Sequence, residues 1–420
     1  MGTKLIILLV IVLGVIAIAQ LVRVYELTAK HTNKKSEEVP HRDNIFNANM
    51  MLFFMIFFYA AFIWLMVKFG YTGLGPAAST HGIETDWLLN LNFVIIIAVF
   101  FLTNTLLFVF AWKYVKRPGV KAFFYPHNNK LEMVWTVIPA AVLAVIIILG
   151  LRSWNEITRP ADEDYENVEI YSYQFGWTAR YSGVDNVLGD FDYKLTTAEN
   201  QYGIMTRANI DNALHMMRIG GPGEEGIELL EARLNNESVV MSKADRKKLE
   251  VDLGRKQRMI RLLEQISKTY NDSLDNIANN DVVVPDSLVL LKGQNYNFSF
   301  RAKDVIHSAY FPHFRAQMNT VPGMTTYFKM QPIFTTDEMR EKMNNDEFEY
   351  ILMCNKICGG SHYKMKMAVR VLGPEDYLNW QKSKMTYDGS PWLNFTDAER
   401  ATKEAELLDK YREIASSVEG

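Results

Sequence analysis

The chain has 420 residues, of which 49% are hydrophobic and 22% charged, and its formal net charge is -3 at pH 7. This composition excludes an intrinsically disordered chain, and the nearly balanced charge gives no reason to expect nucleic-acid binding. The averages hide a division, because almost all long apolar runs lie before residue 152 and most charged and amide residues follow it. We therefore expect a membrane part followed by a water-soluble part.

Four apolar runs in the first part have the length of a membrane-spanning helix, which needs about 20 residues to cross the hydrocarbon core. They cover roughly residues 4–22, 50–69, 92–114 and 133–151. The first run could instead be a secretory signal, because Ala17 and Ala19 have the small-residue spacing of a cleavage site. We favour a retained helix.

Lysine and arginine residues predict how these helices are oriented, since short loops rich in them stay on the cytoplasmic side. The connections after the first and third runs are basic, whereas the connection between the second and third contains neither residue. The basic residues are Arg23, Lys30, Lys34, Lys35, Arg42, Lys113, Lys116, Arg117, Lys121 and Lys130. Both termini, and everything after Arg152, should then lie outside the cytoplasm, in a periplasmic or equivalent compartment where thiols normally oxidise.

The segments after residue 152 predict an all-β domain with a helical insertion. Runs such as "VEIYSYQFGWTARY" and "MKMAVRVLG" are rich in β-branched and aromatic residues, which is typical of an antiparallel sandwich or barrel. Residues 186–280 instead contain many charged residues and leucines, and Ser242 followed by Asp245 resembles a helix-start capping box. Because β sequence resumes at Val282, an insertion between two strands is favoured over a separate helical domain.

These patterns divide the chain into four parts. We predict an N-terminal membrane helix with a cytoplasmic loop, three further membrane helices, the β domain with its insertion, and a polar helical tail. The boundaries are 1–48, 49–152, 153–375 and 376–420. The tail contains "DAERATKEAELLDKYREIASS", which we interpret as a surface or docking helix.

Both cysteines of the chain lie in "CNKICGGSHYKM", residues 354–365. In an oxidising compartment, a disulfide between Cys354 and Cys358 is the simplest interpretation. However, His362 and Met365 follow in a loop with two glycines, which let the backbone fold tightly. Thiolate, imidazole and thioether together form a soft ligand set that selects copper over Mg²⁺ or Ca²⁺. Both interpretations stay open on these residues alone, and Lys356 is an unusual neighbour for a bound cation.

A second histidine would complete a copper site. Besides His362, two histidines, His307 and His313, lie in the β sequence outside the insertion, close together in "DVIHSAYFPHF". A lone histidine is usually structural. A histidine at the end of a strand-like run, in the same domain as a Cys-His-Met loop, is a stronger candidate for a ligand.

Several separated segments resemble subunit II of a haem-copper cytochrome c oxidase. "EMVWTVIPAAVLAVIIILGLRS" is similar to the second core membrane helix of this family, "YSYQFGWTARY" to its aromatic segment, and "DVIHSAYFP" to its first ligand strand. "CNKICGGSHYKM" matches its binuclear copper loop, with both cysteines, the histidine and the methionine in register. The resemblance covers roughly residues 92–182 and 280–380. It implies a bacterial subunit with extra N-terminal helices and an inserted helical segment.

The resemblance implies a membrane α-helical part followed by an all-β cupredoxin-like barrel or sandwich, which holds the dinuclear copper centre called CuA. The two thiolates would bridge two coppers, each histidine would bind one copper, and the methionine would be a weak ligand. The implied ligands are the side chains of His307, Cys354, Cys358, His362 and Met365 and the backbone carbonyl of Lys356. The family's Asp-Val-x-His context selects His307 over His313, and the spacing selects Met365 over Met367.

Five positions bear on function through the same resemblance. Lys356 stands where the family usually has a glutamate that binds a Mg²⁺ shared with subunit I, which makes Mg²⁺ doubtful here because an ammonium group cannot ligate a cation. Phe175 replaces the tryptophan through which electrons usually arrive, and Trp177 matches the next tryptophan, which suits core packing better. Asp304 matches an acidic residue near the cytochrome docking face, although the neighbouring lysine weakens that negative patch. Glu132 matches a glutamate at the mouth of a proton-uptake channel, or it simply compensates the helix dipole.

The implied function is that of an oxidase subunit. It would accept electrons from cytochrome c and pass them to haem in subunit I, where O₂ is reduced to water with proton translocation. The implied partners are subunits I and III, membrane lipid, and a cytochrome c or a haem c subunit of a larger respiratory assembly, since this chain has no Cys-x-x-Cys-His haem attachment. The implied location is the bacterial inner membrane, with the soluble domain in the periplasm. The alternatives are a membrane-anchored thioredoxin-like copper-delivery protein and a copper-free quinol oxidase subunit II.

Overall fold

A computed structural model describes residues 2–31, 40–70, 74–160, 164–221, 223–236 and 241–418. The chain divides into two compact units. One consists of Met1–Thr72 and Leu91–Ala140, and the other of Gly73–Asn90 and Ala141–Gly420. Lys34 and Lys35, which contribute to the predicted orientation, lie outside the described residues.

Among the described residues, four helices are long and apolar enough to cross a membrane. They are α1 (Gly2–His31), α2 (His41–Phe69), α3 (Thr80–Lys113) and α4 (Asn129–Thr158). In the first unit, α2 packs against α3 through aromatic rings, and the hydroxyl of Tyr59 lies 2.9 Å from that of Thr105. This pairing satisfies two polar groups that the hydrocarbon of a membrane would leave without partners.

The second unit contains two five-stranded sheets built from the described residues. The first has the order β10 (Thr326–Met330), β7 (Tyr296–Ala302), β1 (Glu166–Tyr173), β2 (Gly176–Tyr181) and β5 (Val282–Val284). The second has the order β6 (Ser287–Leu291), β12 (Lys366–Leu372), β11 (Tyr350–Cys354), β8 (His307–Phe311) and β9 (Ala316–Thr320). The pairs β1–β7 and β6–β12 are parallel, unlike the antiparallel pattern expected. Each joins strands far enough apart in the chain for the long crossover connection that a parallel pair needs.

One hydrophobic core lies between these two sheets. Alternate residues of each strand face inward, so that β1 contributes Val168 and Ile170 while β7 contributes Phe298 and Phe300. Each such buried side chain stabilises the fold by roughly 1.5–3 kcal/mol relative to leaving it in water. The predicted architecture, membrane-length helices followed by a β-sandwich domain with a helical insertion, is confirmed.

A helical segment separates two neighbouring strands of the first sheet. Strands β2 and β5 pair directly, with Tyr181 opposite Val282, although about a hundred residues lie between them. The segment contains α5 (Arg207–Arg218), β3 (Gly220–Gly221), β4 (Glu224–Glu225), α6 (Ile227–Asn235), α7 (Lys243–Thr269) and α8 (Asp275–Asn280). The side chain of Ser242 caps α7 by accepting a hydrogen bond from the backbone N–H of Asp245, as its sequence suggests.

Three helices complete the second unit. They are α9 (Thr336–Met343), α10 (Pro374–Lys382) and α11 (Asp397–Ser416). The helices α10 and α11 contact each other through the Tyr377 and Tyr411 rings, and the Tyr411 hydroxyl donates to the Gln381 side chain at 2.7 Å. The polar tail therefore ends as a helix packed on the β domain.

A buried ionic cluster ties three strands of the first sheet together. Glu169 of β1 pairs with Arg180 at 2.9 Å and with Arg301 at 2.6 Å. Arg180 also pairs with Asp281 at 2.7 Å. The side chains are almost completely buried, so each guanidinium depends on its carboxylate partner for the stability of its charge.

Candidate metal centre

Three potential ligand residues meet at one end of the second sheet. His307 is the first residue of β8 and Cys354 the last residue of β11, and because these strands run antiparallel the two positions are neighbours. With Cys358 they form a buried group whose ligand atoms all lie within 4.8 Å of one another. This separation is short enough for the three side chains to share a small metal cluster.

The loop after β11 folds back on itself. A short 3₁₀ turn at His362–Lys364 brings His362 Nδ1 and Met365 Sδ each to 3.6 Å from Cys358 Sγ. The thiol of Cys354 donates to the backbone carbonyl of Lys356 at 3.1 Å. Met367, the rival methionine, lies in β12 opposite Leu352. The loop thus gathers two sulfur donors, an imidazole, a thioether and a carbonyl oxygen.

A glycine in this loop is required by its surroundings. Gly359 adopts a φ of +145°, and a Cβ there would lie 2.9 Å from the Phe175 ring. The side-chain amide of Gln174 donates a hydrogen bond to the carbonyl of Cys358. The turn between β1 and β2 therefore packs directly on the loop, which any larger residue at this position would displace.

His307 has one satisfied and one unsatisfied ring nitrogen. Its Nε2 lies 2.8 Å from Asp304 Oδ1, whereas its buried Nδ1 has no hydrogen-bond partner among the described residues. A buried polar atom without a partner is costly unless something satisfies it. A metal-ligating histidine commonly has this arrangement, with a carboxylate on the second nitrogen. The residues therefore fit a bound metal ion.

Two electrostatic effects accompany this geometry. Burial, together with the adjacent Cys354 thiol, raises the pKa of Cys358 to about 11. The pKa of the Asp304 carboxyl is lowered, because hydrogen bonds from the Gln174 backbone N–H and the His307 ring outweigh its partial burial. Both cysteines are free thiols in this structure. A soft metal ion would have to displace the thiol protons, which links its binding to pH.

Comparison with known proteins gives one family and several relatives. The model for the transmembrane domain of cytochrome c oxidase subunit II matches residues 68–153. The alternative cytochrome c oxidase subunit 2 of Bradyrhizobium diazoefficiens is 26% identical over 318 residues, covering 75% of this chain and 84% of the relative. The cytochrome c oxidase subunit 2 of Cereibacter sphaeroides is 23% identical, covering 78% and 86%. These matches support a bacterial protein of the subunit II type.

Two solved structures that match this chain have low TM-scores against it. The periplasmic domain of subunit II of cytochrome oxidase from Bradyrhizobium japonicum is 12% identical, with a TM-score of 0.24, covering 53% of this chain and 92% of that one. A haem-copper terminal oxidase dimer gives 17% identity and a TM-score of 0.17, covering 20% and 50%.

The similarities support a cytochrome c oxidase subunit II-like role for this chain. They imply a subunit of an oxidoreductase complex that is associated with other oxidase subunits. The four apolar helices and the family match indicate a membrane protein with a soluble domain. The family implies CuA copper, for which the group of one histidine and two cysteines offers ligands. Neither the copper-delivery alternative nor the quinol oxidase alternative is favoured by these relatives.

The other residues singled out in the sequence lie in different settings. Phe175 is 37% exposed in the turn that touches the copper loop, whereas Trp177 is only 2% exposed and its ring centroid lies 6.2 Å from that of His307. His313 Nδ1 lies 3.3 Å from the carbonyl of Leu74, and its ring packs against Phe348, as expected of a structural histidine. Glu132 lies in the other unit, in the first turn of α4.

Sequence reasoning missed two contacts of this subunit II. It matched Asp304 to a docking surface, but both carboxylate oxygens of this residue accept hydrogen bonds inside the domain. It gave no role to Gln174, whose amide holds the copper loop. The contact between Asp304 and His307 could have been predicted from their spacing of three residues. The contact between Gln174 and Cys358 could not, because these residues lie far apart in the chain.

Proposed function

We propose that this subunit binds the dinuclear CuA centre, accepts electrons from a cytochrome c and passes them to haem in subunit I. Electrons delivered there reduce O₂ to water, coupled to proton translocation. The observation that carries the proposal is the convergence of His307, Cys354 and Cys358 around the unpartnered Nδ1 of His307. Soft donors of this kind suit copper.

Each residue of the centre has a proposed task. The sulfur atoms of Cys354 and Cys358 and the imidazoles of the two histidines would hold the copper pair. Met365 and the carbonyl of Lys356 would be weaker ligands. When bound, the copper pair supplies a site that takes up and releases one electron. Because the ligands lie at the ends of paired strands and in a loop held by Gln174, they keep their positions when the charge changes.

Lys356 has a separate proposed role at the contact with subunit I. Its side chain is exposed, and an ammonium group repels a cation rather than binding it. We assign it to an ion pair with subunit I in place of a shared Mg²⁺. Stoichiometric, tightly bound Mg²⁺ or Mn²⁺ at this contact, measured by elemental analysis of the intact complex, would contradict this assignment.

Electrons are proposed to arrive through the turn between β1 and β2. Phe175 is partly exposed and touches the copper loop at Gly359, whereas Trp177 is buried and packs beside His307. Phe175 is therefore the better candidate for contact with the donor, and Trp177 for support of the ligand. A Phe175→Leu variant should slow electron arrival while leaving the copper content unchanged.

Glu132 is the proposed proton-uptake residue at the start of α4. Its carboxylate lies 3.4 Å from the backbone N–H of Asn128, so it also offsets the partial positive charge of the helix start. A Glu132→Gln variant should slow turnover of the oxidase without altering the CuA spectrum. If turnover is unchanged, the residue has only the helix-end role.

The proposed location follows from the basic connections. We assign the subunit to the bacterial inner membrane, with both termini and the β domain on the periplasmic side. Subunits I and III, membrane lipid, and a cytochrome c or haem c subunit are its proposed partners. A protease added to intact spheroplasts should then cleave the β domain and spare the connection between α3 and α4.

Spectroscopy of the purified oxidase tests the copper centre directly. Electron paramagnetic resonance of the oxidised complex should show one unpaired electron shared by two coppers, with two coppers per subunit II by elemental analysis. A His307→Asn variant should lose this signal, while the matched His313→Asn variant should keep it. A mononuclear signal, or no copper, in the unmodified subunit would refute the proposal.

A further inference from the structure

Four loops meet at the end of the β domain that holds the candidate copper centre. Gln174 in the turn between β1 and β2 donates both to Asp304 and to Cys358, and so connects three of them. Ala302 pairs with Pro322, which adds the loop between β9 and β10. The loops comprise residues 173–176, 302–307, 320–326 and 354–366.

Large apolar side chains are exposed on this end. Tyr363 is 77% exposed in the copper loop itself, and Ile306 and Phe175 are exposed in the adjoining loops. They surround a site whose ligands are buried. Apolar patches with a polar rim commonly mark surfaces that contact another protein. Because an electron must pass between this end and a donor, these side chains are suited to short-lived contact with it.

The charges around these side chains are mostly positive. The four loops contain four lysines and one carboxylate, a sum of +3, although the whole chain has a net charge of -3. Lys303, Lys364 and Lys366 are exposed, and Lys364 lies over the Tyr363 ring with its Nζ 5.6 Å from the ring centroid. The fourth lysine, Lys356, belongs to the proposed contact with subunit I.

The single carboxylate, that of Asp304, forms its hydrogen bonds within the domain and does not neutralise the lysines at the surface. Asp304 Oδ2 accepts from the Gln174 backbone N–H at 2.8 Å, and Oδ1 accepts from the Val305 backbone N–H and lies beside the His307 ring. Its oxygens are thus occupied within the domain. A partner that approaches this end meets ammonium groups and apolar surface.

We propose that the electron donor of this subunit docks through an acidic surface. The donor is a haem c protein or domain whose haem edge is surrounded by carboxylates, complementary to Lys303, Lys364 and Lys366. This inference rests on the proposed function, since it concerns the donor of the same copper centre. Complementary charges of this kind raise association rates by roughly 10- to 1,000-fold and lose strength as salt is added.

Binding and kinetics with two matched donors test the proposal. The purified oxidase complex is mixed with an acidic and with a basic soluble haem c protein of similar reduction potential. We expect the acidic protein to bind more tightly and to be oxidised faster, with its Kd rising at least about tenfold between about 20 and 200 mM salt. A Lys303→Gln, Lys364→Gln double variant should raise that Kd about three- to tenfold at low salt.

A control lysine separates docking from total charge. Lys342 is exposed in α9, before the start of β11, while the copper loop follows the end of that strand. A Lys342→Gln variant should leave the Kd of the acidic protein unchanged. Tighter, salt-sensitive binding of the basic protein, or equal effects of the two sets of variants, would overturn the acidic-donor proposal. The copper signal of the same samples reports separately on the centre, so failure of the two proposals is distinguishable.

Discussion

Two buried polar clusters of the β domain differ in how their charges and polar atoms are satisfied. In the ionic cluster of Glu169, Arg180, Asp281 and Arg301, every charged group faces an opposite charge at 2.6–2.9 Å. In the ligand cluster, two free cysteines lie near each other, and His307 Nδ1 faces no partner among the described residues. The charged groups of the first cluster pair with one another, although Asp281 Oδ1 accepts no hydrogen bond among the described residues. The second leaves donors turned toward a common point, as a metal site does.

The difference shows how structural and functional polar groups are told apart. A buried ion pair that satisfies itself specifies how strands fit together, and its loss damages the fold. A buried group that remains unsatisfied lowers stability until a ligand occupies it. We therefore expect changes in the ionic cluster to act on folding, and changes in the ligand cluster to act on copper.

The largest expected effect comes from Glu169. A Glu169→Gln variant leaves two buried guanidinium groups without their shared carboxylate, and removal of one partner from a buried ion pair costs about 3–5 kcal/mol. The thermal midpoint of the purified protein should fall sharply, or the variant should not accumulate. The matched Glu264→Gln variant breaks an exposed ion pair with Arg218, and its free energy of unfolding should fall by less than about 1 kcal/mol. Similar losses in both variants would mean that the buried cluster has no special role.

The stability that Glu169 contributes should depend on pH in a definite direction. The two guanidinium groups lower the pKa of Glu169 to about 2, in spite of its burial. A carboxyl with a lowered pKa in the folded state contributes stability that is fully present above its ordinary pKa, about 4.5. That contribution should disappear as the pH falls toward 2, and thermal midpoints of the unmodified protein recorded over this range should show the decline.

Loss of a thiolate should act on copper and spare the fold. In a Cys358→Ser variant, the hydroxyl is too weak a donor to bridge the metals, so copper in the purified oxidase should fall below two per subunit. Without metal, the free energy of unfolding of the variant should differ from that of the unmodified protein by only about 1 kcal/mol, since the substituted atom is small. Removal of copper with a chelator should lower the thermal midpoint of the unmodified protein more than that of the variant, because a ligand bound to the native state stabilises it and the variant holds less copper.

The carboxylate beside His307 is expected to have a smaller effect. An Asp304→Asn variant keeps the shape of the side chain but removes the charge that orients the imidazole, and loss of such a partner typically costs 10- to 100-fold in metal affinity. Competition with a copper chelator measures this change. Asp346→Asn, an exposed aspartate before β11, is the matched control. A wild-type affinity in the Asp304 variant would show that the strands alone fix the ring.

Some of these features could be predicted from the sequence and others could not. The membrane helices follow from the length of apolar runs, and the helical insertion follows from the return of alternating residues at Val282. Four of the candidate ligand side chains lie in one short motif, whereas the choice of His307 over His313 comes from the family resemblance. The ionic cluster could not be predicted, because Glu169 and Arg301 lie 132 residues apart and meet through the parallel pair β1–β7. The hydrogen bond from the Gln174 backbone to Asp304 likewise depends on a distant turn, which spacing does not encode.

The smallest expected effect concerns Glu166, a third polar group in β1, which has neither a guanidinium partner nor a metal. Burial raises its pKa to about 7, although a hydrogen bond from the Tyr377 hydroxyl at 3.2 Å and the charge of Lys410 act in the opposite direction. A carboxyl with a raised pKa in the folded state costs stability when it ionises, so stability should fall as the pH rises from about 4.5 through 7.

A Glu166→Gln variant keeps the acceptor oxygen for Tyr377 and cannot ionise. Its thermal midpoint should equal that of the unmodified protein near pH 5 and exceed it above pH 7, by the equivalent of about 1 kcal/mol given its partial exposure. An equal midpoint at both pH values would place Glu166 with the satisfied groups of the ionic cluster, since only a carboxylate with adequate partners carries its charge in the folded domain without cost.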